Sequence, residues 1–329
     1  MTPLAPPSRT GPLTYSRSVT LTLTHDCPWH CTYCGFRTDQ EGLISESALD
    51  KLLAQAQTQG ACEALLISGE APSQLPHIRK ELLERGFPDF HHFAFYVAER
   101  ALQAGLLPHG NYGALTQRQL EFLRPVHVSM GVMLENVEDL PAIAPEKKSA
   151  GRLKTLEAAG LAKVPFTSGI LIGLGESVAS RFRSLDALAQ SHQRHRQLQE
   201  ILIQNYIPND VSKPQLRPAP PTFSDYLDLI AHWRNICPDV PIQIPPNLNP
   251  YWKELLPYID DLGGISSNRD EVNPLNPWAP IADYAFAAQQ ADRSLCERLA
   301  VYPSHTNAVW LDPALQEKVL LKKTETVAR

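Results

Sequence analysis

The run Val19-Thr20-Leu21-Thr22-Leu23-Thr24 alternates β-branched and apolar residues and passes directly into His25-Asp26-Cys27-Pro28-Trp29-His30-Cys31-Thr32-Tyr33-Cys34. The alternation predicts a β-strand, and the segment after it is a compact loop holding three cysteines within eight residues. Cysteines so closely spaced read as metal ligands in a reducing compartment, where disulfides do not persist. Cys62, Cys237 and Cys296 stand alone and are expected to be buried small hydrophobes.

Outward from this stretch, short apolar runs at 64–68, 126–132, 166–172, 201–206, 242–244 and 263–266 predict further strands, with a weaker one at 106–109. Helical periodicity fills the intervals at 46–59, 75–85, 94–104, 116–123, 149–159, 178–196 and 223–235. Ser45 and Thr222 stand at N-cap positions, while Gly60, Gly86, Gly105 and Gly160 follow helix ends. Repeated strand–helix alternation predicts an α/β protein with a parallel sheet. About eight such units favour a closed (β/α)8 TIM-type barrel, with an open doubly wound sheet as the alternative. In a barrel, the loop after the first strand opens on the catalytic face.

Composition narrows the function. With 43% hydrophobic and 20% charged residues, the 329-residue chain can bury a large core. A net charge of -5 lacks the basic face that nucleic-acid phosphates require. No apolar run reaches the roughly 18 residues of a membrane span. The proline-rich start lacks a signal peptide's apolar core, so the expected location is cytoplasmic. Residues 1–13 are expected to be disordered, 14–312 to form the barrel and 313–329 a tail. The proline-rich stretch 208–221 reads as a long loop on the active face.

Three thiolates in one loop can hold three irons of a [4Fe–4S] cluster and leave the fourth open to an external ligand. A structural zinc ion, with His25 or His30 as fourth ligand, is the alternative; the second ligand knuckle usual for such sites is missing from the sequence. Cys27, Cys31 and Cys34, with Tyr33 before the last, resemble the CxxxCxΦC signature of the radical S-adenosylmethionine (SAM) superfamily. That resemblance implies a cluster whose open iron chelates SAM, and reductive cleavage of SAM to methionine and a 5′-deoxyadenosyl radical. Ser68-Gly69-Glu70 is similar to the superfamily's motif for the SAM ammonium. Ser129 and Glu135 are implied to meet the ribose or amino-acid end of SAM, and Arg152 its carboxylate. Segment 166–176, with Leu171 and Gly173, resembles the glycine-containing element beside the adenine. Glu70 and Arg152 are therefore expected to serve SAM rather than the fold.

Over about 14–312 the chain resembles one family, CofG of the deazariboflavin (F0) synthases. The most selective stretches are Gln204-Asn205, Pro245-Pro246-Asn247-Leu248 and Gly263-Gly264-Ile265-Ser266. Pro28-Trp29-His30 departs from the basic, polar filling more usual between the first two cysteines. The resemblance implies a lyase acting on 5-amino-5-(4-hydroxybenzyl)-6-(D-ribitylimino)-5,6-dihydrouracil, with release of ammonia, to give F0, the precursor of coenzyme F420. It also implies a CofH-type enzyme that supplies this adduct and a flavodoxin- or ferredoxin-like reductant. Gln204, Asn205, Asn247 and Ser266 fall at predicted strand ends, where amides and hydroxyls suit a uracil edge and a ribityl chain. A biotin-synthase-like or other ring-forming radical SAM enzyme, and a zinc-stabilised binding module, are the alternative readings.

Overall fold

The computed structural model describes residues 6–38, 41–208, 219–266, 273 and 275–327. Its strands are β1 (Leu13–Thr24), β2 (Glu63–Ser68), β3 (Leu107–Asn111), β4 (Ser129–Gly131), β5 (Phe166–Ile172), β6 (Leu198–Asn205), β7 (Ile242–Gln243) and β8 (Asp261–Ser266). They pair in chain order, all parallel, and β1 bonds to both β2 and β8. That closure decides for the barrel over the open sheet.

Helices α1 (Glu46–Thr58), α2 (Pro76–Glu84), α3 (Phe90–Gln103), α4 (Gln117–Leu123), α5 (Ser149–Leu161), α6 (Val178–His195) and α7 (Phe223–Ile236) cover the outside. Their starts follow from local chemistry. The Ser45 hydroxyl accepts from the Ala48 amide, and Thr116 with Gln119 and Thr222 with Asp225 form reciprocal capping boxes. The core lies between strands and helices, where Leu21, Leu66, Ile170 and Ile201 meet Leu156, Leu188, Tyr226 and Trp233, all inaccessible to solvent. No helix among the described residues is long and apolar enough to cross a membrane.

Several boundaries differ from expectation. β1 starts at Leu13 because Thr14 pairs with Asp261 of β8 and Leu13 with Leu295 of a ninth strand, β9 (Leu295–Glu297). Residues just before it are tied down too: Arg9 bonds Asp260, and the Gly11 carbonyl accepts from Arg293. α8 (Trp252–Leu255) and α9 (Ile281–Gln290) lie outside the predicted helices, and the expected tail is a helix, α10 (Pro313–Val327). Leu315 and Val319, one turn apart, bury its inner side. Cys62 and Cys237 are buried as expected, but Cys296 is exposed, because β9 is an outer strand. Most of the 208–221 loop lies outside the described residues.

The segment following β9 positions the site. Ala300 receives hydrogen bonds from Ser129 and Gln199, and Tyr302 donates to Glu200, so residues 298–302 close the barrel at the N-terminal ends of its strands.

Candidate functional site

The cysteine loop leaves β1 at the opposite, C-terminal end, anchored by Asp26. This buried carboxylate accepts from the Glu41 and Gly42 amides and from His77 Nε2 at 2.8 Å. Burial pushes its pKa up, but these bonds outweigh it and hold Asp26 below the usual carboxylate range. Arg37 Nε donates to the Cys27 carbonyl and the Thr32 amide to that of Ile143, clamping the loop from both sides. The end of β2 presses against it: a Cβ on Gly69 would lie 2.2 Å from the Asp26 carbonyl oxygen, so only glycine fits. The adjacent Glu70 amide donates to Cys27 Sγ at 3.3 Å.

Beneath the loop lies a cavity of about 410 Å³ whose lining includes Cys27, Cys31 and Cys34. All three thiols are free and partly exposed. Burial raises the Cys27 pKa and pushes that of Cys31 up to about 12, so without a cation these groups stay protonated. A soft donor set of three thiols, with Cys27 and Cys31 needing a positive partner to ionise, fits an iron–sulfur cluster.

Beside the cysteines the cavity carries two linked charge pairs. Arg152 Nη2 meets Glu70 Oε2 at 2.7 Å with both side chains at most 10% exposed, and the Ala114 amide donates to the other Glu70 oxygen. Lys147 bonds Glu135 and donates to the Tyr33 hydroxyl, which itself donates to Glu135 Oε2. Burial opposes ionisation of Glu135, but Lys147 and Arg152 hold its carboxyl below the ordinary range. Arg152 Nε is buried with no hydrogen-bond partner among the described residues, a donor left over in a wall that is otherwise satisfied. Glu70 and Arg152 thus grip one another across the cavity wall, where both also face its interior.

Tyr33, Ser68, Gly69, Glu70, Glu135, Arg152 and Leu171 line this cavity, as do Gln204 and Asn247. Others predicted for the site do not. Ser129 is fully buried, donating to the Ala300 carbonyl and contacting His109 Nδ1 at 2.7 Å. Asn205 ties β6 to the β7 loop through the Leu248 carbonyl. Ser266 is buried beside β1. Gly173, at φ +86°, turns the chain so that Glu176 accepts its amide and that of Leu174. Sequence reasoning missed Lys147, which follows no motif, and the polar floor of Glu63, His109, Glu200 and Arg298, which the cavity also reaches. Of these only His109 falls inside a predicted strand; Glu63 and Glu200 stand one residue before theirs, so charged residues at the entry of an apolar run were the available signal.

Comparison with known proteins agrees with this geometry. The profile of the Radical SAM superfamily matches residues 21–188. The chain is 36% identical over 313 residues to the 7,8-didemethyl-8-hydroxy-5-deazariboflavin synthase of Archaeoglobus fulgidus, covering 92% of this chain and 94% of that protein. It is 36% identical over 321 residues to the synthase of the same name from Methanothermobacter thermautotrophicus, covering 93% and 97%. Among solved structures, the [FeFe]-hydrogenase maturase HydG superposes with a TM-score of 0.71 at 13% identity, covering 96% of this chain and 78% of that one. Methylornithine synthase (PylB) superposes at 0.67 and 13%, covering 87% and 84%. These two share the fold. The chain belongs to the radical SAM superfamily and, within it, to the family of 7,8-didemethyl-8-hydroxy-5-deazariboflavin synthases.

Proposed function

We propose that this chain forms F0 from the hydroxybenzyl–ribityl–dihydrouracil adduct, consuming SAM and releasing ammonia, as the second of two radical SAM enzymes in deazaflavin assembly. The observation that carries this reading is similarity sustained along 92% of the chain, joined to three free thiols on the wall of one cavity. As a member of its superfamily, the protein uses a [4Fe–4S] cluster and SAM. When bound, these supply reductive cleavage of SAM to methionine and a 5′-deoxyadenosyl radical that abstracts hydrogen.

The chain's own residues do the holding. Cys27, Cys31 and Cys34 would bind three irons, and the clamp through Asp26, Arg37 and Gly69 keeps their loop in place. The Arg152 Nε–H suits the carboxylate of SAM, and Glu70 beside it suits the ammonium. Lys147 neutralises Glu135 and aligns the Tyr33 hydroxyl at the edge of the site. Gln204 and Asn247 offer amide donors and acceptors to a uracil edge deeper in the cavity.

A CofH-type enzyme would supply the adduct, and a flavodoxin- or ferredoxin-type protein the electron. The test is a coupled anaerobic assay with reconstituted protein, SAM, reductant, tyrosine and the diaminouracil. F0 fluorescence should develop only when a CofH-type enzyme is added. Fluorescence without it, or none with it, would refute the proposed place in the sequence.

A further inference from the structure

The lower half of the barrel interior is hydrophilic, where barrels of this kind are filled by branched aliphatic side chains. Along β1 the inward positions are Ser16, Ser18 and Thr20. Around them stand three carboxylates, Glu63, Glu200 and Asp261, against one guanidinium. Arg298 spends its fork on Asp261, at 2.6 and 2.8 Å, and reaches Glu200 at 3.2 Å. Glu63 receives only the Ser16 hydroxyl among the described residues. Glu200 also accepts from the Thr167 and Tyr302 hydroxyls and Asp261 from Thr14 and the Gly263 amide, so Glu63 is the floor's spare acceptor.

His109 adds another. Ser129 has a single hydroxyl proton, and it goes to the Ala300 carbonyl at 2.7 Å. The contact between Ser129 Oγ and His109 Nδ1, also 2.7 Å, must then be donated by Nδ1–H. That assignment leaves the lone pair on Nε2. Burial and the nearby Arg298 drive the His109 pKa down to about 3, so the ring is neutral. Nε2 has no hydrogen-bond partner among the described residues, although the side chain is nine-tenths buried and lines the cavity. Gly131 makes the room: a Cβ there would sit 3.2 Å from Nε2. An acceptor with a fixed tautomer on a nine-tenths-buried side chain, facing an open lumen, suits a donor from a ligand.

We propose that the barrel floor seats a polyhydroxylated chain, and that His109 Nε2, on the same cavity lining as Glu63 and Glu200, accepts hydrogen bonds from the ribityl hydroxyls of the substrate. The identity of that chain rests on the function proposed above; the acceptor site itself does not. Hydroxyls suit the floor because each both donates and accepts, matching the carboxylates and imidazole on one side and Arg298 and Gln243 on the other. The adduct then lies along the barrel axis, with its ring towards the cysteine loop and its chain below.

The product F0 carries the same ribityl group and is fluorescent, so binding can be read without turnover. Reconstituted protein would be titrated with F0 and with an analogue whose ribityl group is replaced by ethyl. Wild type should prefer F0 by about tenfold or more, as a few net hydrogen bonds give. Two variants separate ligand contact from structural support. His109→Asn keeps a donor for Ser129 but ends short of the lumen, and should cut the preference about three- to tenfold. His109→Gln returns an acceptor near the Nε2 position while giving up the Ser129 bond, and should keep most of it. Equal affinities in wild type, or a preference kept by the asparagine variant and lost by the glutamine variant, would overturn the proposal. Protein that turns the adduct over yet shows equal affinities fails this inference alone; protein that leaves the adduct untouched fails the function.

Discussion

Replacing Arg152 by Met tests how far the cavity wall beside the cysteines belongs to the fold. The guanidinium lies 2.7 Å from Glu70, with side-chain exposures of 6% and 10%, and it also donates to the Met133 carbonyl. Burial works against its charge, and the carboxylates of Glu135 and then Glu70 outweigh that effect. Removing the cation leaves Glu70 buried without a counter-charge, a situation that costs about 3–5 kcal/mol. For a chain of this size that corresponds to a melting temperature lower by roughly 4–7 °C. Glu70→Gln should cost less, about 1–2 kcal/mol, because Glu135 still faces Arg152 and the amide can still accept one bond. The double variant should be more stable than the sum of the two single losses implies. The assay is thermal unfolding of cluster-free protein, where SAM cannot contribute. An Arg152→Met protein melting within about 2 °C of wild type would refute the structural reading of the pair.

Alanine at Cys27, Cys31 or Cys34 should abolish the brown chromophore and SAM cleavage, while alanine at Cys62, Cys237 or Cys296 leaves both; iron analysis checks this. Gly69→Ala should impair iron loading and stability together, because its Cβ would collide with the Asp26 carbonyl rather than a movable side chain. Asn205→Ala should cost about 1–3 kcal/mol in denaturant unfolding, since the Leu248 carbonyl loses a buried donor. Gln204→Ala should instead lower F0 yield more than SAM cleavage measured without adduct. Burial, with Asp261 and Glu63 nearby, pushes the Glu200 pKa up to about 7 despite Arg298. The folded state then binds the extra proton between about 4.5 and 7, so stability relative to Glu200→Gln should fall as pH rises through that window. A flat difference across that window in unfolding experiments would contradict it.

The barrel was legible because each unit carries its own signal: β5 coincides with the predicted 166–172, and α1 and α7 start one residue after the expected caps Ser45 and Thr222. β9 was not, since three residues paired to the early part of β1 have no periodicity to read. The helix α10 was missed for a different reason. Its apolar face is short, and it becomes visible only through the surface that buries Leu315 and Val319. In the site, the cysteines, Tyr33 and Gly69 are local in sequence and could be read directly. Lys147, His109 and Arg298 are brought to the cavity by barrel closure over long separations, and no short motif encodes such a meeting. Ser129, implied by the resemblance, and Asn205, at a predicted strand end, show the converse: their side chains bond the Ala300 and Leu248 carbonyls and tie parts of the barrel together, which no local pattern announces.

The most direct measurement is a single anaerobic incubation of the reconstituted protein with SAM, reductant and the purified adduct, with F0, 5′-deoxyadenosine and ammonia quantified together. The account predicts that all three rise in step, and that F0 fails to form when Cys31 is replaced by Ala. Formation of 5′-deoxyadenosine with the adduct recovered unchanged would contradict the proposed substrate.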